Sequence, residues 1–148
     1  MKILVDADAC PVKEIILETA REFGIRVLLV TDTSHQLSDS YAEVITVDKS
    51  RDSADFAIIS RLEAGDIVVT QDYGLAAMAM PKAFRVIHQN GFVYHSGNID
   101  RLLFERHLSQ KQRRTGGRTR GPAKRTRAED EAFRQVFRRL VQEARKLQ

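Results

Sequence analysis

Five short, mostly apolar runs in the first ninety residues constrain the fold more than any other feature of the chain. They are Ile3-Leu4-Val5, Val27-Leu28-Leu29-Val30, Val44-Ile45-Thr46-Val47, Ile67-Val68-Val69-Thr70 and Phe84-Arg85-Val86-Ile87. Each has strand length, and the second is apolar on both faces, as in a parallel sheet. Between the runs the spacing turns helical. Val12, Ile15, Ile16, Ala20 and Phe23 predict a helix from about Pro11 to Phe23, stopped by Gly24. Ala54, Ile58, Ile59 and Leu62 predict a second over about Arg51–Glu63, with Ser50 as candidate N-cap. A short third helix, Leu75–Met80, ends at Pro81. Residues 31–41 are polar and irregular and read as a loop.

Alternation of strand and helix argues for a parallel sheet with helices on both faces, joined by right-handed crossovers. Beyond it, Asn90-Gly91 signals a hairpin-type turn, and Phe92-Val93-Tyr94 suits a short edge strand. A helix is expected over Asn98–Lys111 and a last one over Arg127–Lys146, the latter with Phe133, Val136, Phe137, Leu140 and Val141 as its apolar stripe. The expected fold is therefore α/β: a three-layer sandwich with a mainly parallel central sheet of about five strands, plus C-terminal helices. Residues 1–111 form the α/β domain, 112–127 a basic loop, and 128–148 a helix packing on the same domain.

The longest apolar runs are too short to cross a bilayer. The N-terminus enters a strand at once, without the pattern of a signal peptide, and the single Cys10 allows no internal disulfide. A cytoplasmic protein is expected. Charge is divided unevenly: residues 1–100 hold 9 Lys and Arg against 15 Asp and Glu, and residues 101–148 hold 15 against 5. An acidic body with a basic tail suggests a metal site in the body and a polyanion held by the tail.

Asp6, Asp8, Asp48, Asp52, Asp55 and Asp72 fall at carboxyl ends of the expected strands or in the first turn of the next helix. Converging carboxylates raise one another's pKa unless a cation compensates. A set of hard oxygen donors suits Mg²⁺ or Mn²⁺, which take few protein ligands and keep several waters. Such ions activate water and stabilise charge on a scissile phosphate. Each aspartate also has a plainer reading: Asp52 and Asp55 offsetting a helix dipole, Asp72 capping a helix, Asp48 filling a turn, Asp8 bonding a helix start. Asp66 precedes its strand and belongs to the opposite edge. Thr70 and Gln71 stand beside Asp72 as supporting groups. Cys10 reads as a small buried residue. His35, His88, His95 and His107 are scattered, without zinc spacing.

Lys111, Arg113, Arg114, Arg118, Arg120, Lys124 and Arg125 lie in a run that lacks acids and large apolar residues and is broken by Gly and Pro. By itself it is a solvated linker. Beside an acidic metal corner it is a candidate for phosphate contacts, which give affinity and salt dependence without sequence readout.

Val5-Asp6-Ala7-Asp8-Ala9-Cys10-Pro11, Ser53-Ala54-Asp55, Gly65-Asp66-Ile67-Val68-Val69-Thr70-Gln71-Asp72-Tyr73-Gly74-Leu75-Ala76, Gly91, Asn98-Ile99-Asp100 and the Arg-Arg-Thr-Gly-Gly…Gly-Pro run resemble the bacterial YaiI/YqxD family over nearly the whole chain. At one remove that family is similar to PIN-like domains, metal-dependent nucleases with a parallel sheet and a carboxylate cluster. The resemblance implies a site at Asp6, Asp52, Asp55 and Asp72, with Thr70–Asp72 similar to a PIN Thr-x-Asp pattern. Asp8 and the long basic tail depart from a minimal PIN domain.

The leading expectation is a Mg²⁺- or Mn²⁺-dependent nuclease acting on RNA, or else DNA. Asp6, Asp55 and Asp72 would hold the metal, with Asp8 and Asp52 as further ligands or water-orienting groups. Two alternatives stand beside it. One is a nucleic-acid- or ribosome-binding protein with structural carboxylates. The other is a haloacid-dehalogenase-type phosphatase with Asp6 as nucleophile and Asp8 as general acid.

Overall fold

In the computed structural model the described residues are all of 1–148 except 34–36, 51, 115 and 117–123. The chain runs β1 (Lys2–Asp6), α1 (Lys13–Phe23), β2 (Arg26–Asp32), β3 (Glu43–Val47), α2 (Ser53–Arg61), β4 (Ile67–Val69), α3 (Tyr73–Ala79), β5 (Arg85–Ile87), α4 (Ser96–Arg114) and α5 (Arg127–Lys146). The five strands form one parallel sheet in the order β3-β2-β1-β4-β5. Helices cover both faces, so the expected three-layer α/β sandwich with C-terminal helices is the observed fold.

The strand order reverses at β1. From it the chain steps outward to β2 and β3, then returns to β1's other side with β4 and β5. Such a switch leaves a crevice at the carboxyl ends of the two strands flanking it. Here those strands are β1 and β4, paired Val5 to Val69, so Asp6 comes to lie beside Thr70.

Two apolar clusters sandwich the sheet. One gathers Ile3, Val5, Val27, Leu29 and Val69 with Ile16 and Leu17 of α1 and Phe133, Phe137 and Val141 of α5. The other gathers Leu4, Leu28, Val68 and Val86 with residues of α2, α3 and α4. Successive residues of β1 thus feed opposite cores, which is why the run is apolar throughout.

α5 lies alongside α1 and runs in the same sense. Arg134 bonds Glu18 and Arg138 bonds Glu22, each pair offset by 116 residues. Arg138 and Arg145 also lie over the Phe23 ring, 5.1 and 5.8 Å from its centre. Part of the charge asymmetry is therefore resolved within the chain: tail arginines neutralise glutamates of α1. Thr126 and Glu129 form a reciprocal capping box at the start of α5. Arg125 fastens that start to the turn after β5, with its guanidinium on Asp130 (2.6 Å), Asn90 Oδ1 (2.7 Å) and the Gln89 carbonyl (2.7 Å). In that turn Gly91 has φ +94°, and a Cβ there would sit 2.9 Å from the α5 backbone. Only glycine permits this approach.

Several boundaries differ from expectation for local reasons. α1 begins at Lys13 rather than Pro11, because its first i to i−4 bond is Ile16 N–H to the Val12 carbonyl. At its far end Gly24 is left-handed, and Ile25 N–H reaches back to Ala20, closing a Schellman-type cap. β2 continues through Thr31 and Asp32, which still pair with Thr46 and Val47 of β3. α2 starts at Ser53 with Asp52, not Ser50, at the N-cap; Arg51 lies outside the described residues. α3 begins at Tyr73, two residues early, because Asp72 caps it. The Phe92–Tyr94 segment doubles back along β5 through one antiparallel bridge, Ile87 to Val93, and is no full strand. Among the described residues no helix is long and apolar enough to cross a membrane.

Candidate functional site

The site is built at the switch point. Asp6 ends β1, and the Thr70 hydroxyl donates to its Oδ2 at 3.0 Å. That same hydroxyl accepts from Asp72 N–H at 2.9 Å, so one buried threonine fixes both aspartates. The Thr70 carbonyl in turn accepts from the hydroxyl of buried Tyr94 at 3.0 Å. Asp72 caps α3, with Oδ1 accepting from Gly74 N–H at 2.8 Å and Leu75 N–H at 3.2 Å. Asp55 enters from the first turn of α2.

Electrostatics bind these carboxylates into one group. The Asp6 carboxyl is pushed up from 3.8 to about 6. Burial is the main cause; the Thr70 bond opposes it, and the charges of Asp55, Asp72 and Asp8 add to it. Burial likewise raises Asp55, helped by Asp72 and Asp52 and opposed by Arg106. Arg106 reaches the cluster from α4, with Nη1 3.5 Å from Asp72 Oδ1.

A proton is thus held more tightly by Asp6 in the folded chain than in the unfolded one. Its contribution to stability is present at low pH and lost as pH rises from 3.8 through about 6. In EDTA, Asp6→Asn should therefore lose less stability across that window and melt above the parent at neutral pH. Thermal melts across the window measure this, and identical profiles for parent and variant would refute it.

The remaining expected residues sit at different distances from this centre. Asp8 faces β2, its Oδ1 accepting from the Thr31 hydroxyl and its Oδ2 from Asp32 N–H at 3.2 Å. Asp52 is exposed and left-handed, φ +71°, with no side-chain cap of its own helix. Gln71 is exposed. Asp48 lines a surface cleft with Asp52. Asp66 lies at the opposite edge, bonded to Lys2. Cys10 is buried, and burial raises its thiol.

Lys111, Arg113 and Arg114 are exposed on the last turn of α4, and Lys124 is exposed ahead of α5. Arg125 is held by Asp130, Asn90 and Gln89. Arg118, Arg120 and His35 lie outside the described residues.

Sequence reasoning missed Arg106 and the placement of Tyr94. The signal for Arg106 was present: Ile99, Leu102, Leu103 and Arg106 follow the i, i+3, i+4, i+7 line of one helix face. A charge at the end of an apolar stripe points towards the core side, where the acids lie.

Whether these groups suit a metal has a divided answer. Among the described residues no three His, Cys, Asp or Glu side chains form a ready cage. The donor chemistry nevertheless fits a hard divalent cation: mutually repelling carboxylate oxygens meet one arginine. Mg²⁺ needs only one or two such ligands beside its waters.

The chain is similar to proteins of known sequence along nearly its whole length. A "UPF0178 protein" of Ruminiclostridium cellulolyticum is 59% identical over 137 residues, 93% of this chain and 90% of the relative. Another "UPF0178 protein", from Exiguobacterium sibiricum, is 52% identical, covering 97% and 98%. One from Clostridium kluyveri is 49% identical, covering 95% and 93%. No solved structure matches the chain. The family model described as "Uncharacterized BCR, YaiI/YqxD family" matches residues 4–143, which agrees with the motifs around Asp6 and Asp72. With its acidic switch point and its capped tail helix, the chain belongs to the YaiI/YqxD family.

Proposed function

We propose that the protein is a Mg²⁺- or Mn²⁺-dependent phosphodiester hydrolase acting on RNA, or else DNA. The observation that carries this reading is the convergence of Asp6, Asp55 and Asp72, from three separate elements, on the switch point of the sheet. Coulombic repulsion among them is unfavourable without a cation, and such a cost is commonly kept where it serves function. The PIN-like resemblance of the motifs leads to the same chemistry.

In this reading Asp6, Asp55 and Asp72 hold the ion. When bound, it neutralises charge on a scissile phosphate and lowers the pKa of water. Thr70 fixes Asp6 through Oδ2. Asp8 and Asp52 flank the centre as water-orienting groups. Arg106, now on Asp72, is placed to meet a phosphate oxygen. Lys111, Arg113, Arg114, Arg118, Arg120 and Lys124 hold the substrate backbone, while Arg125 serves the fold.

A second reading is a nucleic-acid-binding protein whose acids are structural. It is favoured by one observation, that Asp72 Oδ1 already caps α3 with two N–H groups.

Calorimetric titration with Mn²⁺ and Mg²⁺ separates the two. The parent should bind in the micromolar-to-millimolar range, and Asp6→Asn should weaken binding at least about tenfold, through loss of one charged ligand. RNA cleavage by the parent should be lost with it. If the folded parent binds neither ion, even with a non-cleavable oligonucleotide supplying phosphates, the hydrolase reading falls.

A further inference from the structure

Phe56 stands out on α2. Its neighbours Ala57 and Ile58 are buried and supply the packing of the helix, yet Phe56 is 76% exposed. It therefore does no work in the core. Instead its side chain lines two separate clefts. One, of about 590 Å³, also holds Thr46, Asp48, Ser53 and Arg61. The other, of about 390 Å³, holds Asp55, Ile59 and the half-exposed Met78. Asp52 lines both. Both volumes lie in the range of small-molecule sites. Asp55, which lines the smaller cleft, is also coupled by charge to Asp72 at the switch point.

We propose that Phe56 is a wedge between two successive unpaired bases of a single-stranded nucleic acid, one base in each cleft. The inference rests on the hydrolase reading for its polymer and adds that the substrate is single-stranded beside the scissile phosphate. Its support is chemical. A base offers an apolar π-face and a polar edge. Phe56, Ile59 and Met78 match the face, whereas Asp48 in the larger cleft accepts from N–H groups on the edge. Arg61, exposed in the larger cleft and bonded through Nη1 to the Ala57 carbonyl at 3.0 Å, keeps further donors for the phosphate joining the bases. In a duplex the π-faces are already covered, and a wedge must first unstack them. An exposed ring that borders two open clefts suits bases that are already splayed.

The test uses the full-length chain with a short fluorescein-labelled single-stranded RNA and its duplex form. Anisotropy is read once in EDTA and once in Ca²⁺. A 2-aminopurine version of the strand reports stacking. Phe56→Ala should weaken single-strand binding about tenfold or more, a typical loss for one stacked base. Phe56→Trp should retain binding. The parent should quench 2-aminopurine and Phe56→Ala should not, with melting temperature and duplex affinity unchanged. Equal single-strand binding by parent and Phe56→Ala overturns the wedge, as does absence of quenching or of parent binding in both buffers. Light scattering covers the other occupant: a dimer of the parent that Phe56→Ala dissolves would make this face a self-association surface and also overturn the wedge. Mn²⁺ titration keeps the two readings apart. Normal metal binding with unchanged RNA affinity in Phe56→Ala sinks the wedge alone, whereas quenching by a parent that binds no metal supports the wedge and sinks the hydrolase.

Discussion

Phe137→Ala should lower the free energy of unfolding by about 3–5 kcal/mol, the range for emptying a buried aromatic site. Phe137 is fully buried and stacks on Phe133 with ring centres 5.2 Å apart and planes 14° apart. Both rings belong to the cluster that includes Ile3, Val5 and Val69 of the two central strands. The variant loses the transfer energy of the ring and one aromatic pair, and leaves a cavity between α5, α1 and the sheet. Against a typical total of about 5–15 kcal/mol, that is enough to populate the unfolded state measurably at ambient temperature. Urea denaturation reads it as a fall in midpoint at an unchanged slope. A shift below about 1 kcal/mol would mean that α5 is an appendage rather than a wall of the core. The exposed arginines on the same helix provide the contrast: Arg134→Ala removes a surface pair to Glu18 and should barely move the midpoint.

The second large effect lies at the opposite edge of the sheet. Asp66 is buried and accepts three bonds: Lys2 N–H to Oδ1 at 3.0 Å, Lys2 Nζ to Oδ2 at 2.7 Å, and Glu63 N–H to Oδ2 at 2.8 Å. Burial opposes the charge on Lys2, but its bonds to Asp66 and Glu63 outweigh that and raise its pKa. Asp66→Ala strands a buried ammonium and two backbone donors, and should cost about 3 kcal/mol, the low end for a broken buried pair. The low end applies because Glu63 still reaches Lys2 Nζ at 2.8 Å from a mostly exposed position. Pairing Asp66→Leu with Lys2→Met should recover part of the loss, since an apolar replacement leaves no stranded charge. Denaturant midpoints of the two single variants and the double variant give the coupling. Additive losses in the double variant would show that the ion pair contributes nothing specific.

Much of this architecture is legible in the residues. The apolar runs marked all five strands, most clearly β1, β2 and β4, whose residues are buried nearly throughout, whereas the edge strand β3 is only partly covered; helical spacing marked the longer helices. What spacing does not encode is strand order. Asp6 and Thr70 are neighbours only because β4 returns to the free side of β1, a consequence of where α2 crosses the sheet rather than of any local pattern. The candidate carboxylates were identifiable as strand-end residues, yet their separation into a coupled centre (Asp6, Asp55, Asp72) and a flank bonded to β2 (Asp8) depends on that order. Asp66 shows the converse: its position at the far edge was readable, but its bonds to Lys2 and Glu63 were not. Charge counting was least informative in the tail, where Arg134 and Arg138 answer glutamates 116 residues earlier.

The placement of α5 against α1 also sets an order of assembly. Strands β1 to β3 and helix α1 are among the first parts of the chain to be synthesised, but the apolar face they present is closed by residues 133–144. Translation adds about 5–20 residues each second, so a nascent chain carries that face uncovered for several seconds. Contacts spanning more than a hundred residues also close late, because loop entropy must be spent before they form. A chain cut short before Phe133 would present an unsealed sheet face to chaperones and proteases, so quality control of this protein is effectively a reading of α5.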